Sequence, residues 1–435
     1  MNVVMVGTGY VGLVSGACFA EFGANVTCVD KDKDKIESLT KGHIPIYEPG
    51  LEKLVKKNFQ LGQLKFTTNL KGATKDADLI FIAVGTPSRR GDGHADLDYV
   101  YAASKEIANC INDYAVIVNK STVPVGTARE VKKIILETNS KADFDIASNP
   151  EFLREGSAIE DFMRPNRVVI GVESKRAEKL LKELYRPLNL IETPIMLTDL
   201  ESAELIKYAS NAFLATKISF VNELSTLCEK TGADIHAVAK GMGLDDRIGK
   251  KFLHVGPGFG GSCFPKDTLA LIQTFEKHNL SNKIVKSVLE VNQEQKERMI
   301  RKIRDSLGGF ESNKTLAVLG LTFKPETDDM RDAPSLTILP PLLDKGAKIR
   351  VHDPEGFEQA KPLLPEELEY CPTINEAVEN ADAIILMTEW NQYRGLDLES
   401  IREKMKGNVF IDLRNVYEPD EMNKLGFNYS CVGRS

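Results

Sequence analysis

The strongest constraint on the fold of this chain is a glycine-rich turn of the form G-x-G-x-x-G. It runs from Gly7 to Gly12 as Gly-Thr-Gly-Tyr-Val-Gly and follows a short β-branched run at residues 2–6. A helix of small residues is predicted from Leu13 to Phe22, and a second strand from Asn25 to Val29. In a βαβ unit such glycines allow a tight turn, close approach to a pyrophosphate and close helix–strand packing. The order of these elements predicts a dinucleotide-binding α/β domain.

The acidic residue at the end of the second strand indicates which dinucleotide binds. Asp30 lies 18 positions after Gly12, close to the spacing of about 20 that is typical of this motif. Its carboxylate can accept hydrogen bonds from both adenosine ribose hydroxyls and would repel a 2′-phosphate, so NAD is expected rather than NADP. The predicted cofactor contacts are Gly7, Gly9, Tyr10, Val11, Gly12, Asp30 and, near the adenosine, Lys35. A glycine-rich turn that binds nothing is the competing interpretation.

Two further strands carry hydroxyl side chains just beyond their ends. Residues 77–84 and 115–119 are apolar runs typical of buried parallel strands. Thr86 follows the first run and Thr122 the second. Because ligands of open α/β sheets bind beyond the carboxyl ends of the strands, both threonines are expected at the cofactor site. On sequence alone, hydroxyls that cap the next helices explain these threonines equally well.

Composition and charge argue against several classes of partner. The 435 residues include 56 basic and 63 acidic side chains, and a net charge of -7 argues against nucleic acid as the main partner. The seven cysteines form no C-x-x-C pair and no Cys/His spacing suited to zinc, so free thiols and no bound metal are expected. An apolar stretch at residues 3–20 is interrupted by four glycines, and no basic segment precedes it. We therefore expect a cytoplasmic protein without a membrane partner.

The middle of the chain is predicted to be helical. Residues 200–230 have the pattern of one long helix, and Gly232 is suited to cap its C-terminus. Lys207 and Asn211 are four residues apart, so their side chains share one face of this helix. Such a pair is usually solvated, and it becomes functional only where that face lines a ligand site.

A second α/β pattern occupies the last part of the chain. It begins at residues 315–320 and continues with predicted strands at 348–351, 383–387 and 409–413. The segment after Gly320 is Leu-Thr-Phe-Lys-Pro, so the paired glycines of an NAD site are missing. The expected fold class is α/β, with two Rossmann-like parallel-sheet domains joined by a central helical domain that contains the long helix. The predicted boundaries are 1–199, 200–300 and 301–435.

One cysteine lies in a loop that is unusually rich in glycine. Residues 256–267 read Gly-Pro-Gly-Phe-Gly-Gly-Ser-Cys-Phe-Pro-Lys-Asp and surround Cys263 with four glycines. Glycines leave the backbone open to a ligand. Lys266 and a helix start near Asp267 would favour the thiolate, which is the nucleophilic form, and Asp267 would return toward Cys263 on the first helical turn. A buried, inert cysteine in a glycine loop is the competing interpretation.

Several ordered motifs together resemble one known family, the nucleotide-sugar dehydrogenases of the UDP-glucose/GDP-mannose dehydrogenase family. The resemblance covers essentially the whole chain, shows no departure at a motif position, and favours the branch that acts on UDP-glucose. The motifs that carry it are Gly7 to Gly12 with Asp30, Asn149-Pro150-Glu151-Phe152-Leu153-Arg154-Glu155-Gly156, Lys207 with Asn211, the loop from Gly258 to Asp267, and residues 320–331, Gly-Leu-Thr-Phe-Lys-Pro-Glu-Thr-Asp-Asp-Met-Arg.

The resemblance implies a two-step, four-electron oxidation of a primary alcohol of UDP-glucose to a carboxylate, with two molecules of NAD used in succession. Cys263 is then the nucleophile that captures the aldehyde as a thiohemiacetal, and water releases the acid from the later thioester. Lys207 and Asn211 would stabilise oxyanions, Lys207 with Asp267 through a water would help to remove the alcohol proton, and Glu151 would be the base for hydrolysis. The implied catalytic set is Cys263, Lys207, Asn211, Asp267, Glu151 and Thr122.

The same resemblance implies binding roles. Glu155, near the nicotinamide, Lys266 and Arg331 would contact the cofactor. Arg247 would reach the substrate of a neighbouring subunit, which implies a homodimer. The implied substrate contacts are Glu151, Phe152, Leu153, Arg154, Glu155, Lys207, Asn211, Arg247, Phe252, Leu253, His254, Val255, Gly256, Gly260, Lys324 and Arg414.

Three other functions compete with this interpretation. A related dehydrogenase that acts on a UDP-N-acetylhexosamine or on GDP-mannose would share most of the motifs. A two-electron hydroxyacid dehydrogenase would share the N-terminal domain and the long helix, but it leaves the Cys263 loop and the second α/β pattern unexplained. A non-catalytic sensor of NAD or nucleotide sugar predicts loss of the thiol, the lysine or the asparagine, and all three are present. The sequence therefore favours an enzyme.

Overall fold

The computed structural model describes residues 1–87, 89 and 95–434 of the chain. The chain divides into two compact units. Unit 1 contains Met1–Ser210 and Leu269–His278, and unit 2 contains Asn211–Thr268 and Asn279–Ser435. The division into three domains at 200 and 301 stays a prediction.

The sheet of unit 1 is formed by short runs of buried, mostly β-branched residues. Its described strands are β1 (Asn2–Val6), β2 (Asn25–Val29), β3 (Leu64–Thr67), β4 (Leu79–Ile82), β5 (Ala115–Asn119), β6 (Phe144–Ser148), β7 (Val168–Val172) and β8 (Ile195–Thr198). The order across the sheet is β3-β2-β1-β4-β5-β6-β7-β8. The pairs are parallel except that β6 and β7 are antiparallel. The predicted bounds of β1, β2 and β5 are confirmed.

Helices cover both faces of this sheet. One core layer joins β1 residues such as Met5 to the small residues of the first helix, and the other joins Val4 and Val6 to the helices that follow β4 and β5. The described helices before residue 200 are α1 (Tyr10–Glu21), α2 (Lys33–Thr40), α3 (Leu51–Gln60), α4 (Leu70–Thr74), α5 (Asp98–Cys110), α6 (Thr127–Thr138), α7 (Ala158–Met163) and α8 (Lys175–Leu184), with a 3-10 turn at Arg186–Ile191. The cofactor turn therefore lies between a fully packed strand and a fully packed helix.

Unit 2 contains a second sheet, and its described strand pairs are all parallel. Its strands are β9 (Thr315–Leu319), β10 (Lys348–His352), β11 (Glu369–Tyr370), β12 (Ala383–Leu386), β13 (Val409–Asp412) and β14 (Asn428–Cys431), in the order β11-β10-β9-β12-β13-β14. The helices that follow residue 200 are α9 (Leu200–Thr231), α10 (Ile235–Gly243), α11 (Phe264–Lys277), α12 (Ile284–Ser306), α13 (Pro334–Asp344), α14 (Phe357–Ala360), α15 (Ile374–Val378), α16 (Asn391–Arg394), α17 (Leu398–Lys404) and α18 (Pro419–Lys424).

The two sheets begin in the same way. Gly7 has φ +103° and donates its N–H to the Val29 carbonyl at 2.8 Å, and Gly320 has φ +94° and donates to the His352 carbonyl at 2.8 Å. Glycine is needed at such positive φ values. The prediction of two Rossmann-like parallel-sheet domains and a helical region with one long helix is confirmed.

The long helix α9 spans 32 residues and ends before Gly232, which has φ +75° as expected of a helix cap. Its apolar positions lie on more than one side, because Val221 is fully buried whereas Phe213 and Leu227 are 65% and 58% exposed. Among the described helices, α9 included, none has the run of apolar residues that crossing a bilayer requires.

Candidate active site

The glycine turn of unit 1 has the shape that a pyrophosphate needs. A Cβ on Gly12 would lie 2.0 Å from the Gly7 carbonyl oxygen, so only glycine fits where α1 packs against the turn. Gly9 is the N-cap of α1 and supplies no side-chain cap, and a Cβ at that position would meet nothing within 4 Å. Open space therefore faces the first N–H groups of a 12-residue helix, which is the usual arrangement for binding phosphate.

Asp30 lies at the end of β2, where an adenosine ribose is expected. Its carboxylate accepts hydrogen bonds from the Thr8 backbone N–H at 2.9 Å and from the Thr8 hydroxyl at 2.6 Å, and the Lys35 ammonium lies 3.3 Å away. Burial raises the pKa of Asp30, but the bonds from Thr8 outweigh it and hold the pKa below its usual value. The acid is thus ionised and oriented, and Lys35 lies beside it as predicted for the adenosine region.

The two predicted threonines come together at the ends of β4 and β5. The Thr86 hydroxyl donates to the Thr122 carbonyl at 3.0 Å, and the Ser121 hydroxyl donates to the Val84 carbonyl at 2.7 Å. Neither threonine caps a helix, because α5 and α6 begin after Leu97 and Gly126 without a side-chain cap. The capping interpretation is therefore wrong. The Thr122 side chain is half-buried just beyond the carboxyl end of β5.

A buried ion pair joins the end of β6 to α9. The Lys207 ammonium lies 3.2 Å from Oε1 of Glu151, and the two side chains are only 4% and 6% exposed. The other carboxylate oxygen accepts the Leu153 backbone N–H at 2.6 Å. The Lys207 ammonium also lies 5.3 Å from the centre of the Phe152 ring. Three of the predicted substrate residues are therefore brought together around Lys207.

A buried glutamate that the sequence did not predict supports the next residues of the same segment. Glu48 accepts the backbone N–H groups of Gly156 at 2.6 Å and Ala158 at 2.8 Å, and it also accepts the Tyr10 hydroxyl. Burial and the neighbouring Glu48 raise the pKa of Tyr10. The side chain of Arg154 is directed away to Asp161, at 2.6 Å. No pattern in the sequence links position 48 to position 156.

Cys263 lies directly before α11, at the N-terminus of that 14-residue helix. The Cys263 carbonyl accepts the Asp267 N–H at 2.8 Å, and the Ser262 hydroxyl is 3.4 Å from the sulfur. The side chain is half-buried rather than enclosed in the core. A helix N-terminus stabilises a thiolate, so this placement favours a reactive cysteine over an inert one.

The glycines around Cys263 are required by a second loop of unit 2. A Cβ on Gly260 would lie 2.4 Å from the Asp332 carbonyl oxygen, and one on Gly261 would lie 2.7 Å from the Phe323 ring. The Gly261 N–H donates to the Arg331 carbonyl at 2.7 Å. The motif at 256–267 and the motif at 320–331 are therefore packed against each other.

Asp267 is fully buried and both of its carboxylate oxygens are occupied. One accepts the Asn211 amide at 2.6 Å, and the other is 2.6 Å from the Lys266 ammonium. Asp267 does return to the first turn of α11, as predicted, with its carboxylate bonded to Asn211. Lys266, predicted at the cofactor, is held by this carboxylate.

The backbone of the predicted substrate loop is held by polar side chains that the sequence did not identify. The Asn292 amide bonds both the N–H and the carbonyl of Phe259, at 2.8 and 3.1 Å, and Gln295 donates to the Gly256 carbonyl at 2.7 Å. Phe252 adopts φ +66°, which is unusual for a bulky residue. Asn292 and Gln295 lie on the amphipathic helix α12. From sequence alone, polar residues of such a helix are expected to face solvent, so neither was identified.

The predicted basic residues of unit 2 differ in their placement. Arg414 donates to the Phe323 carbonyl at 2.9 Å and lies beside Gly256, and the Lys324 ammonium is 5.4 Å from the centre of the Phe323 ring. Arg331 pairs with Asp329, two residues away in its own loop. Arg247 is 89% exposed and pairs with Asp245 on its own turn, so it is not brought to the other candidates of this unit.

The dinucleotide-binding turn of unit 1 indicates an NAD-dependent dehydrogenase. Comparison with known proteins agrees with this class. Sequence models of the UDP-glucose/GDP-mannose dehydrogenase family match the chain in three parts, the NAD binding domain at residues 1–189, the central domain at 201–294 and the UDP binding domain at 317–419. The chain belongs to the UDP-glucose/GDP-mannose dehydrogenase family and is an NAD-dependent nucleotide-sugar dehydrogenase.

Individual relatives match over their full length. A UDP-glucose 6-dehydrogenase of Rhizobium meliloti is 54% identical, with 100% of both chains covered. A UDP-glucose 6-dehydrogenase of Bacillus subtilis is 48% identical, covering 100% of this chain and 98% of the relative. The solved structure of a UDP-glucose dehydrogenase from Pyrobaculum islandicum has a TM-score of 0.92 at 39% identity, with 100% of this chain and 98% of that chain covered.

Proposed function

We propose that this chain is a UDP-glucose 6-dehydrogenase, which oxidises the primary alcohol of UDP-glucose to the carboxylate of UDP-glucuronate. Relatives with that name are 54% and 48% identical over the whole chain. The expectation that the glycines of the Cys263 loop leave its backbone open to a ligand is wrong, because all four are buried against other residues of unit 2. The observation that carries the proposed chemistry is the position of Cys263, half-buried at the N-terminus of α11. A two-electron alcohol oxidation needs no such thiol.

The first oxidation converts the alcohol to an aldehyde. The glycine turn and Asp30 would hold NAD, which would supply the hydride acceptor for this oxidation and for the second. Lys207 lies in a buried pair with Glu151, and Asp267 in a buried pair with Asn211. We assign removal of the alcohol proton to Asp267 acting through a water, assisted by Lys207, whose ammonium stabilises the alkoxide that forms, and assign Thr122 to the same step from the end of β5.

The second oxidation requires a covalent intermediate because an aldehyde carbon offers its hydrogen as hydride only after it becomes tetrahedral. The Cys263 thiolate adds to the aldehyde carbon and forms a thiohemiacetal, whose oxyanion is stabilised by Asn211 and Lys207, one turn apart on α9. Loss of hydride gives a thioester, and capture on sulfur also prevents escape of the aldehyde. Glu151 then activates the water that releases the acid.

The remaining predicted contacts are assigned to binding. The 152–156 segment and the 252–256 loop present backbone groups to the sugar nucleotide, and both are anchored by buried polar side chains. Lys324 and Arg414 supply positive charge beside the 320–331 loop, where a nucleoside diphosphate would need it. Glu155, Lys266 and Arg331 are assigned to the cofactor.

The proposed function is tested by counting reduced cofactor. Purified protein with excess NAD is expected to form two NADH for each UDP-glucose consumed, and to form much less with UDP-N-acetylglucosamine, UDP-N-acetylmannosamine or GDP-mannose. Faster turnover of one of the other sugar nucleotides would identify that compound, and not UDP-glucose, as the substrate. One NADH per UDP-glucose would instead contradict the four-electron reaction.

We further propose a homodimer that forms through the exposed stripe of α9. Phe213, Phe220 and Leu227 are seven residues apart and therefore lie on one side of the helix, with 65%, 48% and 58% exposure. A stripe of this size on a helix is suited to an equivalent stripe on a second copy. In such a dimer the exposed Arg247 is free to contact the partner's substrate.

Disrupting this stripe is expected to produce monomers. The double substitution Phe213→Glu and Phe220→Glu should raise the dimer dissociation constant at least about a hundredfold, because two large apolar side chains would no longer be buried. Sedimentation velocity measures the effect. Phe310→Glu is the matched control, since Phe310 is 77% exposed and lies outside α9. A double variant that stays dimeric would contradict the proposed interface.

The thiols support assignment to a reducing compartment. All seven cysteines are free, and five of them are buried. Burial raises the pKa of Cys18 and Cys28 to about 12, so these thiols are inert. We propose that the protein is cytoplasmic, since its proposed reaction also needs Cys263 as a free thiol.

A further inference from the structure

A buried lysine outside the predicted catalytic set forms a closed hydrogen-bonded triad in unit 1. Lys120 is 3% exposed and follows the last residue of β5. Its ammonium donates to the Asn149 side-chain oxygen at 3.0 Å and to the Tyr185 hydroxyl at 3.2 Å. The Tyr185 hydroxyl in turn donates to the same Asn149 oxygen at 2.6 Å. Each member of the triad therefore contacts the other two.

The triad residues form hydrogen bonds that link the carboxyl ends of β4, β5 and β6 and reach β7. The Asn149 side-chain amide donates to the Val169 carbonyl on β7 at 2.8 Å, and the Asn149 backbone N–H donates to the Asn119 carbonyl at 2.9 Å. The backbone N–H of Lys120 donates to the Ile82 carbonyl, at the end of β4, at 2.9 Å. Lys120 and Asn149 thus fix where the chain leaves β5 and β6.

Two candidate catalytic residues each lie two positions after a member of the triad in the sequence. Thr122 comes two residues after Lys120, and Glu151 comes two residues after Asn149. A shift in either strand end would therefore move a candidate catalytic side chain directly. Errors of about 1 Å in such positions can cost about a hundredfold in rate.

The charge of Lys120 is unusual because, among the described residues, no carboxylate lies within ion-pair distance of it. The rings of Phe162 on α7 and Tyr185 after α8 have their centres 5.8 and 5.9 Å from its ammonium. The charged or titratable groups that act on it are Glu151 after β6, Lys207 on α9 and Cys18 on α1. Burial lowers the pKa of Lys120 to about 8, against the opposing effect of Glu151. A methionine would fill similar space without the cost of burying a charge.

We propose that Lys120 is a positioning residue for the oxidation: with Asn149 and Tyr185 it fixes the strand ends that carry Thr122 and Glu151. This inference rests on the proposed roles of Glu151 and Thr122. Lys207 is the direct partner of Glu151, and Lys120 is a second, more distant cation.

The test compares the neutral variant Lys120→Gln with the wild type, using NADH formation from UDP-glucose. We expect kcat to fall about tenfold to a hundredfold while KM values for UDP-glucose and NAD change less than about threefold, because the triad positions reacting groups rather than binding groups. A role in folding alone would lower the amount of folded enzyme but leave kcat per folded molecule unchanged.

Two more variants test the triad without removing the lysine and provide the control. Tyr185→Phe removes the hydroxyl of one member but keeps Lys120 in place, so kcat should fall about twofold to tenfold. Lys105→Gln, on the exposed side of α5, should match the wild type in both kcat and KM. Thermal unfolding of each variant shows whether it is folded at the assay temperature.

The outcomes are distinct. Wild-type kcat in folded Lys120→Gln would overturn the proposal. Should Lys120→Gln fail to fold, wild-type kcat in a folded Tyr185→Phe would overturn it. Wild-type protein that does not oxidise UDP-glucose would instead refute the proposed function, because the triad is only tested against an active enzyme.

Discussion

Replacing Cys263 with serine is expected to lower formation of the acid from UDP-glucose by about a thousandfold or more. Serine keeps the size of the side chain and the position before α11, but its hydroxyl is scarcely ionised near neutral pH, whereas a thiol at a helix N-terminus forms the nucleophilic thiolate. Without covalent capture, the aldehyde cannot reach the tetrahedral state from which the second hydride leaves. The first oxidation is retained in principle, so the variant should reduce at most one NAD per sugar and leave an aldehyde.

The measurement is a single-turnover assay with hydroxylamine present to trap free aldehyde. Trapped product from Cys263→Ser, and none from the wild type, is the expected pattern. Cys110→Ser is the matched control, because Cys110 is also half-buried but burial raises the pKa of its thiol. It should behave as the wild type. Two NADH per UDP-glucose from Cys263→Ser would show that the acid forms without this sulfur.

The parts of the fold that the sequence predicted are those decided by local pattern. The bounds of β1, β2 and β5 follow from runs of β-branched residues, and Gly7 was identified because a turn with φ +103° needs glycine. The predicted strand at 77–84 is shorter in the structure, at Leu79–Ile82, because its last residues already form the loop toward Thr86. Apolar composition alone does not mark where a strand stops pairing.

The parts that were missed depend on contacts between residues far apart in sequence. Glu48 supports Gly156 from more than a hundred residues away, and Asn292 bonds Phe259 from 33 residues away. Lys120 gave no prediction from the sequence, because a lysine that follows a strand is normally solvated. Each of these side chains became informative only when its burial was known, since a buried polar group must have partners.

The second Rossmann-like sheet shows why the same turn need not bind the same ligand. Asp353 follows β10 as Asp30 follows β2, but its carboxylate accepts N–H groups from Leu321 at 2.7 Å, Thr322 at 3.2 Å and Gly356 at 2.7 Å. Asp30 also accepts two backbone N–H groups, from Thr8 and Asp32, but Asp353 accepts four and is buried. The missing paired glycines and this buried, more fully bonded carboxylate both argue against a second NAD site in unit 2.

The second large effect is expected from Lys207→Met, which removes the cation of the buried pair but keeps a good helix former in α9. The activity should fall about a thousandfold, because the stabilisation of the alkoxide and of the thiohemiacetal oxyanion assigned to Lys207 is lost. Stability should fall by about 3–5 kcal/mol, since Glu151 is left buried without its partner. Steady-state NADH formation and urea unfolding measure the two effects.

The double variant Lys207→Met with Glu151→Gln separates these effects. A neutral amide can remain buried without a cation, so much of the lost stability should return while activity stays low. Lys175→Met is the surface control, because Lys175 is 93% exposed in its pair with Glu178 and such pairs contribute less than about 1 kcal/mol. If the double variant recovers activity together with stability, Lys207 is a structural residue and the oxyanion stabilisation assigned to it belongs to another group.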